Sequence, residues 1–203
     1  MIRGSEGPDS FFAELKRALT PADRTIPPPA ALRQAGVLVP LFADGKEIRV
    51  VLTRRTERVP HHKGQVCFPG GSRDAGDPDL LATALRESEE ELGIRPEVVE
   101  VIGSMEPVPT VTGFFIQPFV VRIPAGSPSL RDEFEVAELF DAPLSAFTDF
   151  SLYRSAETTF LGQPYLVYFL DYGRHAIWGA TARILHDLAG IALRIPGVRR
   201  AAG

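Results

Sequence analysis

One short stretch of this chain turns from strand to helix, and it limits the folds open to the whole. Gln65-Val66-Cys67-Phe68 reads as a short strand that runs straight into Pro69-Gly70-Gly71. A polar loop from Ser72 onward leads to a helix expected at about 78–92. Pro78 suits a first helical position, where its missing N–H costs nothing, and Gly93 followed by Pro96 supplies the stop. Asp77 has two readings: N-cap of this helix, or a carboxylate that helps at a site built on it. Successive helical residues turn by about 100°. Leu81, Ala84, Leu85, Ser88 and Leu92 therefore share one face, and Glu87, Glu90 and Glu91 share another.

The remaining elements interleave. Residues 36–42 and 47–53 are apolar runs joined by a turn at Asp44-Gly45, which is a hairpin signal. Residues 98–106, 114–123 and 164–172 read as further strands, and 106–113 as a loop. Residues 133–140 read as strand passing into loop, 143–148 as a short helix and 179–195 as a closing helix weakened by Gly190. Near the start, Ser10 is expected to cap a short helix whose one face carries Phe11, Phe12, Leu15 and Leu19. Three successive prolines at 27–29 then favour an extended connection. Residues 1–30 are thus expected to be a lead-in that packs on a main domain at 31–195. The class is α/β or α+β with a mixed sheet.

Bulk properties exclude several functions. A chain of 203 residues suits one large domain. A net charge of -4 with a pI near 5.6 speaks against a general nucleic-acid binder. The single cysteine, Cys67, forbids an intrachain disulfide, fits a reducing compartment and reads as a small buried hydrophobe between Val66 and Phe68. The first twenty residues lack the apolar core of a secretory signal, the last three are no peroxisomal address, and no apolar run approaches the roughly 18 residues that span a bilayer. The expectation is a cytoplasmic protein without a membrane partner.

Glu87, Glu90 and Glu91 carry the chemistry. Like charges three and four residues apart repel, and negative charge near a helix C-terminus opposes the dipole. A divalent cation relieves both penalties. Magnesium takes hard oxygen ligands and often combines one or two carboxylates with phosphate and water. It neutralises phosphate charge and lowers the pKa of an attacking water. Taken alone, a glutamate-rich helix is more commonly a solvated surface, with Arg86 in an ordinary ion pair. The glycine turn before it shifts the balance, because glycine lets backbone approach a ligand closely and offers a carbonyl oxygen, here that of Gly71, to a metal.

With these residues in place, the segment from Gly71 to Ile94 resembles the Nudix box, G-x5-E-x7-R-E-U-x-E-E-x-G-U with U apolar. Arg86-Glu87, Glu90-Glu91, Gly93 and Ile94 match. Counted from Gly71, Arg86 comes one residue late, Asp77 stands at the first glutamate and Ser88 replaces an apolar residue. The resemblance implies a Nudix-type α/β/α sandwich and hydrolysis of a nucleoside diphosphate linkage with Mg2+ (Mn2+ as the alternative). It makes Glu87 and Glu91 the leading metal ligands, Glu90 a further or water-bridged one, and Arg86 the residue that orients a glutamate.

The flanking sequence resembles one branch, the coenzyme A pyrophosphatases. Their motif before the box reads approximately L-L-T-x-R-[SA]-x3-R-x3-G-x3-F-P-G-G. Arg55, Gly64 and Phe68-Pro69-Gly70-Gly71 match, His62 matches a frequent histidine, and Pro60 stands at the second arginine, with Arg58 two residues earlier. Thr110 to Gly113, Glu135-Val136 leading to Pro143-Leu144, and Ile177 to Thr181 extend the similarity over most of 31–190. Arg54, Arg55, Arg58, His61, His62 and Lys63 form a basic stretch suited to the phosphates of coenzyme A. With Gly64 and Phe68 it supplies the substrate-binding candidates. Phe114 and Trp178 read more readily as core than as adenine-stacking residues. The implied products are 3′,5′-ADP and 4′-phosphopantetheine, with acyl or oxidised coenzyme A as possible preferred substrates. Glu135 and Glu90 compete as general base. The rival readings are a hydrolase of ADP-ribose or another nucleotide, and a non-catalytic ligand-sensing Nudix domain.

Overall fold

β1 (Arg33–Asp44) and β2 (Glu47–Arg55) form the hairpin expected from the apolar runs on either side of Asp44-Gly45. Asp44 pairs with Glu47, leaving a two-residue turn. This computed structural model describes residues 7–24, 26–59, 62–129, 132–196 and 198. On its other side β1 runs parallel to β7 (Phe114–Arg122), with Arg33 opposite Phe114 and Leu41 opposite Arg122. β7 pairs antiparallel with β5 (Glu100–Ser104) and β6 (Val108–Pro109), and β2 pairs antiparallel with β8 (Val136–Pro143). One parallel pairing among antiparallel ones makes the sheet mixed.

β1 and β2 part company beyond Leu41 and Val50. Ala35, Gly36 and Val37 bond to β7 on one side and to β4 (Gly70–Ser72) on the other. Thr53 and Arg54 bond to β8 on one side and to β3 (Val66–Cys67) on the other. The Phe68-Pro69 link therefore sits in the gap between two splayed strands, and the Pro69 carbonyl accepts the Leu38 N–H at 2.9 Å. This wedge fixes where the glycine turn points.

Strand residues alternate between two faces. Leu38, Val51, Phe119 and Val121 face α2 (Leu80–Leu92) and pack with Ala84, Leu92 and Ile94. Val39, Leu41, Val50, Leu52 and Val120 point the other way. They pack with Leu185 and Leu188 of α3 (Gly179–Ala192) and with Phe11, Phe12 and Leu15 of α1 (Pro8–Ala18). Each such side chain buried is worth about 1.5–3 kcal/mol. The two clusters thus hold helices on opposite faces of the sheet, an α/β/α sandwich. Thr20 bridges Ser104 through both backbone groups, tying the end of the lead-in to β5. β9 (Arg154–Phe160), β10 (Gln163–Tyr172) and β11 (His175–Trp178) form a second, antiparallel sheet against α3.

Some boundaries differ from the sequence reading. α1 starts at Pro8, with Gly7 as N-cap, so Ser10 lies inside it; proline is well tolerated at a helix start. α2 starts at Leu80 and not at Pro78, because the Asp79 carboxylate accepts the Ala82 N–H at 2.8 Å and takes the capping position. Pro96–Val98 form one 3-10 turn, so β5 begins at Glu100. Residues 136–143 are strand and 144–147 a 3-10 turn. β9 carries no strand signal in the sequence, because almost its whole length is exposed and leaves no alternation to read. Trp178 is not core: it is 39% exposed at the end of an edge strand, stacked on Phe169.

α2 lies close to the sheet at Gly36. A Cβ there would stand 2.1 Å from the Leu80 carbonyl oxygen, a backbone atom that cannot swing aside. Gly36→Ala is expected to destabilise the fold by about 1–3 kcal/mol through overpacking. The urea-unfolding midpoint checks this; an unchanged midpoint would mean that the helix seat is not tight.

Candidate functional site

The carboxylates gather where α2 crosses the glycine turn. Gly36 pairs with Gly71 and Val37 with Gly70, which lays the turn beneath the helix. A Cβ on Gly71 would sit 2.5 Å from the Glu87 carboxyl carbon, so only glycine lets that carboxylate rest against the backbone. One turn on, Glu91 is 5% exposed, and its Oε2 accepts the Gly70 N–H at 3.3 Å. Burial pushes the Glu91 carboxyl up to about 8; the Gly70 N–H and Arg55 oppose the rise, while Glu87 and Glu135 add to it. Burial also raises Glu87, against the pull of Arg86. Burial shifts both groups toward the neutral form, and positive charge brought to them opposes that shift.

Arg86 holds this face together. Its Nη1 lies 3.0 Å from Glu87 and 3.3 Å from Glu90. Its Nε and Nη2 each donate to Asp77 at 3.1 Å, a two-pronged contact. Asp77 also accepts from the Thr83 hydroxyl and the Asp74 N–H. The Arg86 guanidinium holds the Asp77 carboxyl far below the usual carboxylate range and is itself raised. Asp77 is therefore not the N-cap; it anchors the arginine that contacts Glu87. Glu90 differs from its two neighbours: its side chain is 59% exposed and turned to Arg86.

The end of β2 supplies the opposite wall. Arg55 donates through Nη2 to Glu135 at 3.1 Å, and its Nη1 lies 3.8 Å from Glu91. Glu135 arrives there because its loop is pinned at both ends. The Glu91 and Leu92 carbonyls accept the Asp132 and Ser129 N–H groups, and the Glu135 carbonyl accepts the Thr56 N–H at 2.8 Å. Cys67 lies close by, 3.3 Å from the Thr53 hydroxyl; burial, and then Glu91, push its thiol up to about 11.

Other residues proposed from sequence fall elsewhere. Arg54 points to the opposite face from Arg55, where Glu138 binds it at 3.2 Å and also binds Arg174 and His175. Strand alternation separates the two arginines. Phe68 is 3% exposed in the α3-side core and supports the turn from beneath. Lys63 and Gly64 lie in the link from β2 to β3, which folds back on β2 through Gly64 N–H to Thr56 and Arg55 N–H to Gln65. Lys63 and Arg58 are exposed, and His62 contacts Gln65 at 2.9 Å. Pro60 and His61 lie outside the described residues. Sequence reading missed the Asp77–Arg86 contact as a structural unit, because a nine-residue separation has no helical or strand period. It also missed Gly36, whose signal was a glycine opening an apolar strand.

The donor set suits a hard divalent cation. Glu87 and Glu91 offer carboxylate oxygens on one side of a turn rich in backbone carbonyls, and the raised Glu91 marks a place where positive charge is favourable. Among the described residues no three His, Cys, Asp or Glu side chains form a ready-made cluster. Mg2+ commonly takes one or two carboxylates and completes its shell with water and phosphate oxygens.

Comparisons with known proteins point to one family. The NUDIX domain model matches residues 32–151. A Nudix hydrolase named NudL from Photorhabdus laumondii is 41% identical over 80% of this chain and 89% of its own length. Another NudL, from Enterobacter sp., is 42% identical over 77% and 81%. A MutT/nudix family protein from Enterococcus faecalis superposes with a TM-score of 0.52 over 91% of this chain and 74% of its own, at 13% identity, a likeness of fold. The described helices include none long and apolar enough to cross a membrane. With its carboxylate helix seated on the glycine turn and its relatives in view, the chain belongs to the Nudix hydrolase family.

Proposed function

We propose that this Nudix hydrolase cleaves the diphosphate of coenzyme A, or of an acyl or oxidised derivative, to 3′,5′-ADP and 4′-phosphopantetheine, with Mg2+ or Mn2+ held by Glu87 and Glu91. The observation that carries the reading is the meeting of Arg55, the arginine of the segment that resembles the coenzyme A motif, with Glu91 and Glu135 beside the Gly70-Gly71 turn. When bound, the cation supplies positive charge against the diphosphate and acidifies water.

The protein's own residues supply the rest. Arg86, fixed by Asp77, holds the Glu87 carboxylate toward the turn. Arg55 offers a guanidinium to a phosphate oxygen from the opposite wall. Glu135 takes the proton of the attacking water on Oε1, the oxygen not engaged by Arg55. Glu90, on the outer side of α2, steadies Arg86. Water adds to one phosphorus, the bridging P–O bond breaks, and each product leaves with one phosphate of the former diphosphate.

The test is a panel of coenzyme A, ADP-ribose, a dinucleoside polyphosphate and a nucleoside triphosphate, each with Mg2+ or with chelator. Mg2+-dependent cleavage of coenzyme A at the highest kcat/KM supports the reading. Cleavage of ADP-ribose with coenzyme A untouched would replace it, and cleavage of none would favour a ligand-sensing domain.

A further inference from the structure

An open-sided pocket of about 410 Å3 lies where β4 leaves the sheet, lined by Arg33, Gln34, Ser72, Arg73, Asp74 and Ala75. It adjoins the carboxylates. Gly71 is two residues from Arg73, no more than about 7 Å of extended chain. Asp74 reaches the same Arg86 that contacts Glu87, at 3.5 Å. A substrate seated at the turn therefore has one end beside this pocket.

The charge there is positive and largely unspent. The Arg73 guanidinium is fixed by uncharged oxygens: the Asp77 and Pro78 carbonyls and the Gln34 side chain, at 3.0–3.4 Å. Among the described residues no carboxylate pairs with Arg73 or with Arg33. The Arg33 guanidinium lies 4.2 Å over the Phe114 ring, which supports one face of it and leaves its N–H edge for a ligand. Asp74, the one acid of the pocket, is paired with Arg86. Arg33 with its open N–H edge, beside Arg73 with its unpaired charge and one remaining N–H, makes a site for a compact dianion.

We propose that this pocket is an anion subsite that takes a phosphomonoester on the nucleoside half of the substrate, separate from the diphosphate that is cut. The proposal rests on the reading of the neighbouring carboxylates as the place of diphosphate cleavage. It assigns Arg33 and Arg73 to substrate selection, and it makes a 3′-phosphorylated nucleoside diphosphate a better substrate than its dephosphorylated counterpart.

Calorimetric titration with adenosine 3′,5′-bisphosphate and with AMP tests it without turnover. The wild type is expected to bind the bisphosphate about tenfold more tightly, the scale of one charge-assisted contact. Arg33→Gln and Ala75→Asp, the second adding a negative charge to an exposed loop, are each expected to bring the two ligands within about twofold. A tenfold preference that survives both substitutions, or no preference in the wild type, overturns the subsite. The two readings separate cleanly. Coenzyme A cleavage with a preference independent of the pocket removes the subsite and leaves the activity. A pocket-dependent preference in a protein that leaves coenzyme A intact keeps the subsite and removes the activity.

Discussion

Glu91→Gln is expected to cut turnover at least about a hundredfold, roughly 2.7 kcal/mol of transition-state stabilisation, while making the protein more stable in chelator at pH 8. The two effects have one origin. The Glu91 carboxyl is raised from an ordinary 4.5 to about 8 by burial. Between those values the folded protein binds a proton that the unfolded chain has released, so stability is lost as pH climbs through the window. Glutamine is isosteric, still accepts the Gly70 N–H and carries no charge to desolvate. Its melting temperature in chelator should exceed that of the wild type by a few degrees at pH 8 and match it near pH 4. If Glu91 holds the ion as proposed, Mg2+ should raise the wild-type melting temperature at pH 8 and leave the variant unmoved, since a ligand that binds only the native state stabilises it. Thermal melts at both pH values, with and without Mg2+, check all of this. A variant that keeps more than a tenth of its turnover would show that Glu91 does not hold the metal.

Gly71→Ala is the second large effect. The new Cβ would meet the Glu87 carboxyl carbon at 2.5 Å and both its oxygens at 2.7 Å, so the carboxylate must swing away from the turn. Misplacing a reacting or liganding group by about 1 Å can cost on the order of a hundredfold in rate, and that is the expected loss in kcat. The melting temperature should change little, because the half-buried Glu87 side chain has solvent to move into. A double-mutant cycle with Glu87→Gln distinguishes this from general damage. If glycine acts by seating that carboxylate, the second substitution costs little once the first is present. Fully additive losses would mean that the two residues act separately.

The parts of the fold legible in the sequence were those with a period or a punctuation mark. Apolar runs flanking Asp44-Gly45 gave the first hairpin, and the spacing of Leu81, Ala84, Leu85 and Leu92 gave α2 and part of its sheet-facing side, where Thr83 and Glu91 are also buried and Leu81 and Leu85 only partly so. β9 was hidden because exposed strands carry no alternation; only its pairing with β10 makes it a strand. The site was legible as a set of residue types and less so as an arrangement. The i, i+4 spacing of Glu87 and Glu91 puts both over the glycine turn. The helix period also put Glu90 on that face, as a further or water-bridged ligand; in the fold it is exposed and turned to the Arg86 that Asp77 holds. Arg54 and Arg55 looked like one basic patch. They face opposite sides of the sheet, with Arg55 against Glu91 and Glu135 and Arg54 against Glu138. Glu135 meets Arg55 across 80 positions, a contact no local pattern encodes.

Ser88 illustrates the cost of departing from the family pattern. It stands at an apolar position of the box, is fully buried, and its hydroxyl has no hydrogen-bond partner among the described residues. An unmade bond of this kind costs about 1–3 kcal/mol. Ser88 neighbours Glu87 on the helix, and nothing in the arrangement of the site explains why serine stands there.

Mass spectrometry of a single-turnover reaction with Mg2+ in oxygen-18 water tests most directly the proposal that water, directed by residues at the Gly70-Gly71 turn, cuts the diphosphate of coenzyme A. The expected result is 3′,5′-ADP and 4′-phosphopantetheine in equal amounts, with one heavy oxygen in the phosphate of one product and none in the other. Intact coenzyme A, or products whose phosphates both lack the heavy oxygen, would contradict it.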